Sequence, residues 1–129
     1  MKNRYNILVI GAVSSTIRTT VGLIRNNLNI VGILGHEPSN TNAVSGLVDL
    51  KKLALENDID YCGFQKINAE EPIQWAKSKQ PDIIFAVGFS QLLTSLWLEM
   101  PTLGCIGFHP TCLPSWLRQE LLSVDQPAP

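Results

Sequence analysis

The chain has 129 residues, 45% of them hydrophobic and 16% charged, the size and composition of one folded domain with a core of its own. Ten Lys and Arg against eleven Asp and Glu leave a net charge of −1, which excludes a bulk polyanion binder or a binder of anionic membrane surfaces. The three cysteines, Cys62, Cys105 and Cys112, form an odd set with no close pair, so a disulfide framework is excluded as well.

In chain order, Tyr5 to Ile10 is a short apolar run that stops at Gly11 and reads as a buried strand. Ser14, Ser15 and Thr16 then offer N-caps to a first helix. Its apolar positions Ile17, Val21, Ile24 and Leu28 recur at helical spacing, and it is expected to end near Asn26-Asn27. Asn29 to Leu34 is a second strand. The polar stretch from His36 to Ser45 reads as a solvated loop. Leu47, Leu50, Leu53 and Ala54 mark a second helix, with Asp49, Lys51, Lys52 and Glu56 mostly on its other face. Asp60 to Phe64 is a third strand. Asn68, with Glu71 three residues on, resembles a capping box for a third helix that carries Ile73 and Ala76. Ile83 to Val87 is an unbroken apolar strand between Pro81-Asp82 and Gly88. Ser90 is a cap for a fourth helix carrying Leu92, Leu93, Leu96 and Trp97, which Pro101 stops. Cys105 to Phe108 is a fifth strand, ending at His109-Pro110.

The uncharged stretch that opens at Ile83 and closes at Glu99 approaches membrane-spanning length. Gly88, Ser90, Gln91, Thr94 and Ser95 interrupt it, and it reads as a strand followed by a helix. The apolar run before Gly11 is too short for a signal peptide, so a cytoplasmic protein is expected.

Strands alternating with helices, nearly all apolar within the strands, predict an α/β fold: a Rossmann-like, doubly wound parallel sheet in three layers. In such folds ligands bind at the carboxyl ends of the strands. The loops there are Gly11 to Thr16, Gly88 to Gln91 and Phe108 to Thr111. The first loop has one glycine where a dinucleotide fingerprint has three, which disfavours NAD(P), although Glu37 supplies an acidic residue near the end of the second strand. No Gly-Lys-Ser/Thr sequence occurs, so there is no P-loop. Cys105, His109 and Cys112 are only three ligands at no common zinc spacing, and no metal is expected. His109 follows a buried strand at the functional end of the sheet. From position alone it is equally a proton shuttle or a histidine that closes the sheet edge with hydrogen bonds.

Two linked segments carry a family resemblance. Pro81-Asp-Ile-Ile-Phe-Ala-Val-Gly-Phe-Ser-Gln-Leu-Leu93 resembles the "P-D-(apolar)-(apolar)-x-x-x-x-Y-x-Q-(I/L)-L" stretch of the formyltransferases that use 10-formyltetrahydrofolate. Leu103-Gly-Cys-Ile-Gly-Phe-His-Pro-Thr-Cys-Leu-Pro114 resembles their "L-G-x-I-N-x-H-P-S-x-L-P" signature. The family includes enzymes acting on glycinamide ribonucleotide, methionyl-tRNA and sugar nucleotides. The resemblance implies a Rossmann-like domain that transfers a formyl group from 10-formyltetrahydrofolate, as co-substrate, to an amine acceptor such as a nucleotide-sugar.

Carried over by resemblance, His109 is the catalytic histidine, which helps deprotonate the amine and stabilises the tetrahedral intermediate. Phe89, Ser90, Gln91, Leu92 and Leu93 match the loop that lines the pterin cleft. Gly107 stands where the family has an asparagine that donates to the developing oxyanion, a donor whose loss costs about 10²–10³ in rate. The family continues past the Leu-Pro with an Arg-Gly stretch and a catalytic aspartate. Here Ser115 to Pro129 follows, in which Arg118 has no glycine beside it. The expected organisation is therefore a partial formyltransferase-like domain over residues 1–114 and a divergent tail over 115–129. The sheet is expected to be incomplete at its C-terminal side, with an uncovered edge that invites self-association, and turnover is expected to be impaired. The alternatives are a non-catalytic folate- or nucleotide-binding module and a fragment completed by another chain.

Overall fold

A computed structural model describes residues 4–40, 46–89 and 91–108. Over them the chain runs β1 (Asn6–Gly11), α1 (Ser14–Arg25), β2 (Asn29–His36), α2 (Leu50–Glu56), β3 (Tyr61–Phe64), α3 (Glu70–Ser78), β4 (Ile83–Val87), α4 (Ser95–Glu99) and β5 (Gly104–Phe108). The strands form one parallel sheet in the order β3-β2-β1-β4-β5. This is the doubly wound α/β arrangement that the alternation predicts. The order turns back between β1 and β4, so the carboxyl ends of those two strands flank the crevice where such sheets take ligands.

The strands are mostly apolar because helices cover both faces of the sheet over β1, β2 and β4. On one face Ile7, Val9, Ile30 and Ile33 pack with Leu50 and Ala54 of α2 and with Ile17, Leu23 and Ile24 around α1. On the other, Leu8, Ile10, Leu34, Ile84 and Ala86 pack with Ile73 and Ala76 of α3 and Trp97 of α4. Trp97 is completely buried, and its indole N–H donates to the Ile67 carbonyl at 2.9 Å.

Pro81-Asp82 works at the amino end of the sheet, away from the crevice. The buried Asp82 carboxylate accepts from the Asn6 amide at 2.8 Å and from the Thr102 hydroxyl at 2.6 Å. It ties β1 and β4 to the turn that precedes β5.

All four helix starts differ from the sequence reading. The first helix follows Val13 as its N-cap, and Thr16 lies within it. The second begins at Leu50, with Asp49 accepting from the Lys52 amide at 3.0 Å. Leu47 instead bridges Val13, and the Val48 amide donates to the Ala12 carbonyl at 2.9 Å. The third follows Ala69 as its N-cap, not Asn68. The fourth begins at Ser95 after Thr94, so Leu92 and Leu93 precede it. Ser90 lies outside the described residues.

Candidate functional site

The crevice is built where β1 and β4 leave the sheet. Gly11 and Val87 are paired across it, and Thr16 sits between them, fully buried. Its hydroxyl donates to the Val87 carbonyl at 2.6 Å and accepts from the Ala12 and Val13 amides at 3.1 and 3.3 Å. A Cβ on Gly11 would stand 2.1 Å from that hydroxyl oxygen and 2.4 Å from the Val87 carbonyl. Gly88 has φ +74° and brings the chain against Val13, Ser15 and Thr16. The Ala12 and Val13 amides just before α1 are thus engaged by Thr16.

Past Gly88 the chain turns over the ends of β3 and β4. Phe89 is buried, its ring edge-on to Phe64 at 6.3 Å. The Gln91 side chain points at the loop after β3. Its Oε1 accepts from the Ile67 amide at 2.7 Å and its Nε2 donates to the Gln65 carbonyl at 2.7 Å. Nε2 also lies 3.3 Å from the His36 Nε2. Leu92 is 79% exposed, while Leu93 packs against the core. The segment 91–94 belongs to neither helix nor strand.

The next strand over, β5, pairs in register with β4: Gly107 opposite Ala86 and Phe108 opposite Val87. The two segments singled out from the sequence therefore leave the sheet side by side at one end. A Cβ on Gly107 would meet the Ala86 carbonyl at 3.6 Å, an ordinary contact. His109, like Ser90, lies outside the described residues.

Sequence reasoning placed His36 in a solvated loop. The structure puts it at the end of β2, half-buried and stacked on Phe64 at 5.3 Å. Burial lowers its pKa from the ordinary 6.5, against a hydrogen bond to the Gln65 carbonyl that raises it. The signal that could have found it was its place at the carboxyl end of a strand. Beside it, the Tyr61 hydroxyl donates to the Glu37 carboxylate at 2.5 Å. Burial, then that carboxylate, pushes the phenol well above its ordinary 10.0. Glu37 separates two clefts at the ends of β2 and β3. One, of 440 Å³, is lined by Gly63, Phe64 and Lys66 among others, and one, of 370 Å³, by Val48, Lys51 and Tyr61 among others. Burial also raises the thiols of Cys62 and Cys105. Among the described residues no group of three His, Cys, Asp or Glu side chains could hold a metal ion, and no helix is long and apolar enough to cross a membrane.

No family model matches the chain. Among curated proteins, it is 35% identical over 96 residues to methionyl-tRNA formyltransferase from Clostridioides difficile, a match that spans 73% of this chain and 31% of that one. The methionyl-tRNA formyltransferase of Thermotoga maritima is 27% identical over the same extent. Among solved structures, phosphoribosylglycinamide formyltransferase from Streptococcus pneumoniae superposes with a TM-score of 0.57 at 10% identity, covering 95% of this chain and 68% of that one.

The chain is a partial match to the formyltransferase family. It spans about a third of the length of the curated relatives it matches, 31%. The likeness to the solved structure speaks for the fold, and the sequence matches to the curated relatives add the family. This formyltransferase-like domain presents its two motif segments from β4 and β5, adjacent strands of one sheet.

Proposed function

We propose that this chain carries the donor-binding front of a formyltransferase, taking 10-formyltetrahydrofolate between the segment after β4 and the end of β5. The observation that carries the reading is the pairing of β4 with β5, whose carboxyl ends lie side by side, with Gly107 within β5 and Phe89 two residues past β4. The segment suits a flat heterocycle on two counts. Leu92 offers 79% of its surface as an apolar wall. The backbone from Gln91 to Leu93 belongs to no helix or strand ladder, and although the Leu92 carbonyl accepts from Asn68, a segment of this kind suits a ring system that needs orienting hydrogen bonds. The donor supplies the formyl carbon. His109 is proposed to take the proton of the attacking amine.

The acceptor is proposed to be a small amine such as a nucleotide-sugar. The relatives' names point to methionyl-tRNA as the other candidate, and the chain spans 31% of their length. A cytoplasmic setting is proposed from the three cysteines, an odd set with no close pair. Residues 1–114 form the formyltransferase-like part in this reading, with 115–129 as a divergent tail.

Gly107 favours the second reading, a module that binds folate with impaired transfer or that another chain completes. It offers no side-chain donor at the position where the family resemblance places asparagine. Calorimetric titration with 5-formyltetrahydrofolate, paired with a formyl-transfer assay on amine acceptors, separates the two. Binding with transfer supports the enzyme. Binding without transfer supports the module. Absence of binding defeats both. Gly107→Asn should fold normally, because its Cβ meets only an ordinary contact. In the enzyme reading it should raise turnover by about tenfold or more while leaving folate affinity unchanged.

A further inference from the structure

Two loops at the carboxyl end of the sheet are tied by side chains that reach in opposite directions. From the β4 side, Gln91 bonds the Ile67 amide and the Gln65 carbonyl, each at 2.7 Å. From the β3 side, the Asn68 Nδ2 donates to the Leu92 carbonyl at 2.8 Å and its Oδ1 accepts from the Thr94 amide at 3.2 Å. Each side chain thus satisfies one backbone acceptor and one backbone donor of the other loop. Trp97 adds a buried bond to the Ile67 carbonyl. Asn68 and Gln91 are remote in sequence, and neither loop is regular structure.

We infer that Asn68 and Gln91 form a reciprocal clasp that acts as one unit to position the segment 91–94 for ligand. This rests on the proposal that the segment lines the donor site. The clasp holds Leu92 and Thr94 by their backbone. Leu92 is thereby kept 79% exposed and not drawn into the start of α4. Both residues are positioning residues. Their polar atoms are spent on protein partners, and they serve a bound heterocycle by fixing the chain that meets it. An amide is well suited to this task because it carries a donor and an acceptor on one planar group, matching the carbonyl and amide of an extended backbone.

The test uses the full chain with Gln91→Ala and Asn68→Ala, and with Gln91→Glu and Asn68→Asp as variants of the same shape. The acidic pair keeps the oxygen that accepts from Ile67 or Thr94 and sets a second carboxylate oxygen, an acceptor, against the Gln65 or Leu92 carbonyl. Three readouts are taken: the thermal midpoint, amide hydrogen exchange at Ile67 and Thr94, and titration with 5-formyltetrahydrofolate. A clasp that acts as one unit makes Gln91→Ala speed exchange at Thr94, which Gln91 does not touch. It makes Asn68→Ala speed exchange at Ile67. Folate affinity should fall about tenfold in the alanine variants and at least as far in the acidic pair, with a lowered midpoint but a chain that still folds. Faster exchange with unchanged affinity would overturn the positioning role, as would exchange effects confined to each substituted residue's own partner. If the unsubstituted chain fails to bind the folate, the donor reading itself fails and the positioning role falls with it. That outcome is visible before any substitution is made, so the two failures are told apart.

Discussion

Thr16 shows how one hydroxyl can organise a crevice. It is completely buried, yet both its donor and its acceptor capacity are used, between two amides of the β1–α1 turn and the carbonyl that ends β4. Its methyl and hydroxyl occupy the space that the missing side chain of Gly11 leaves open. Thr16→Val keeps the shape and deletes the polar atom. The Val87 carbonyl and two amides then lose a partner in a buried place, and a loss of about 1–3 kcal/mol in unfolding free energy is expected. Urea unfolding of the two proteins checks it, and a variant as stable as the parent would show that water replaces the hydroxyl. Threonine near a helix start looked in sequence like an N-cap. The structure shows why that reading was incomplete: the partner that matters, Val87, is 71 residues away.

At the scale of elements, strands were legible and helix starts less so. A strand buried on both faces must be apolar along its length, and Ile7 to Ile10 and Ile83 to Val87 announce themselves in that way. A helix start depends on where a polar side chain finds its partner, and the partner can be distant. Asn68 has the spacing of a capping box, but its side chain serves Leu92 and Thr94, and the residue before α3 is Ala69. Leu92 fits a helical stripe and yet faces solvent, because the segment is held out of α4 by those same bonds. The end of β2 makes the same point for the site. His36 lies among polar residues in sequence and against Phe64 in space. Its pKa is lowered by burial, so around and below 6.5 the unfolded chain binds a proton there more readily than the native state does. The stability that follows is present above that pH and is lost as pH falls through the window below it. His36→Phe keeps the stack and removes the titration. Between about pH 7.5 and about pH 5.5 the parent should lose more stability than the variant does. Parallel losses in the two proteins would rule out a contribution from His36.

Among the described residues the sheet is covered unevenly. α1 and α2 lie over β1, β2, β3 and β4 on one face, and among the described residues no helix extends that cover to β5. Ile106, paired with Phe85, is accordingly 41% exposed, and Leu103 beside the same strand is 61% exposed. Leu96 and Leu98 of α4 add apolar surface, at 54% and 53% exposure. At the other edge, β3 is a strand of four residues, short enough to be a poor template for pairing. The β5 edge carries neither charge nor proline within Gly104–Phe108, and those are the devices that keep edge strands from recruiting partners. Self-association through this edge is the proposal that follows, and it is a property of the assembled sheet, invisible in any single element. Sedimentation should show the apparent mass of the parent rising with protein concentration, and Ile106→Lys should suppress that rise. The lysine places a charge on the uncovered face, where it costs little in the monomer and is strongly unfavourable in a paired edge. A parent whose mass does not change with concentration, or a lysine variant that associates as readily as the parent, would remove β5 as the contact.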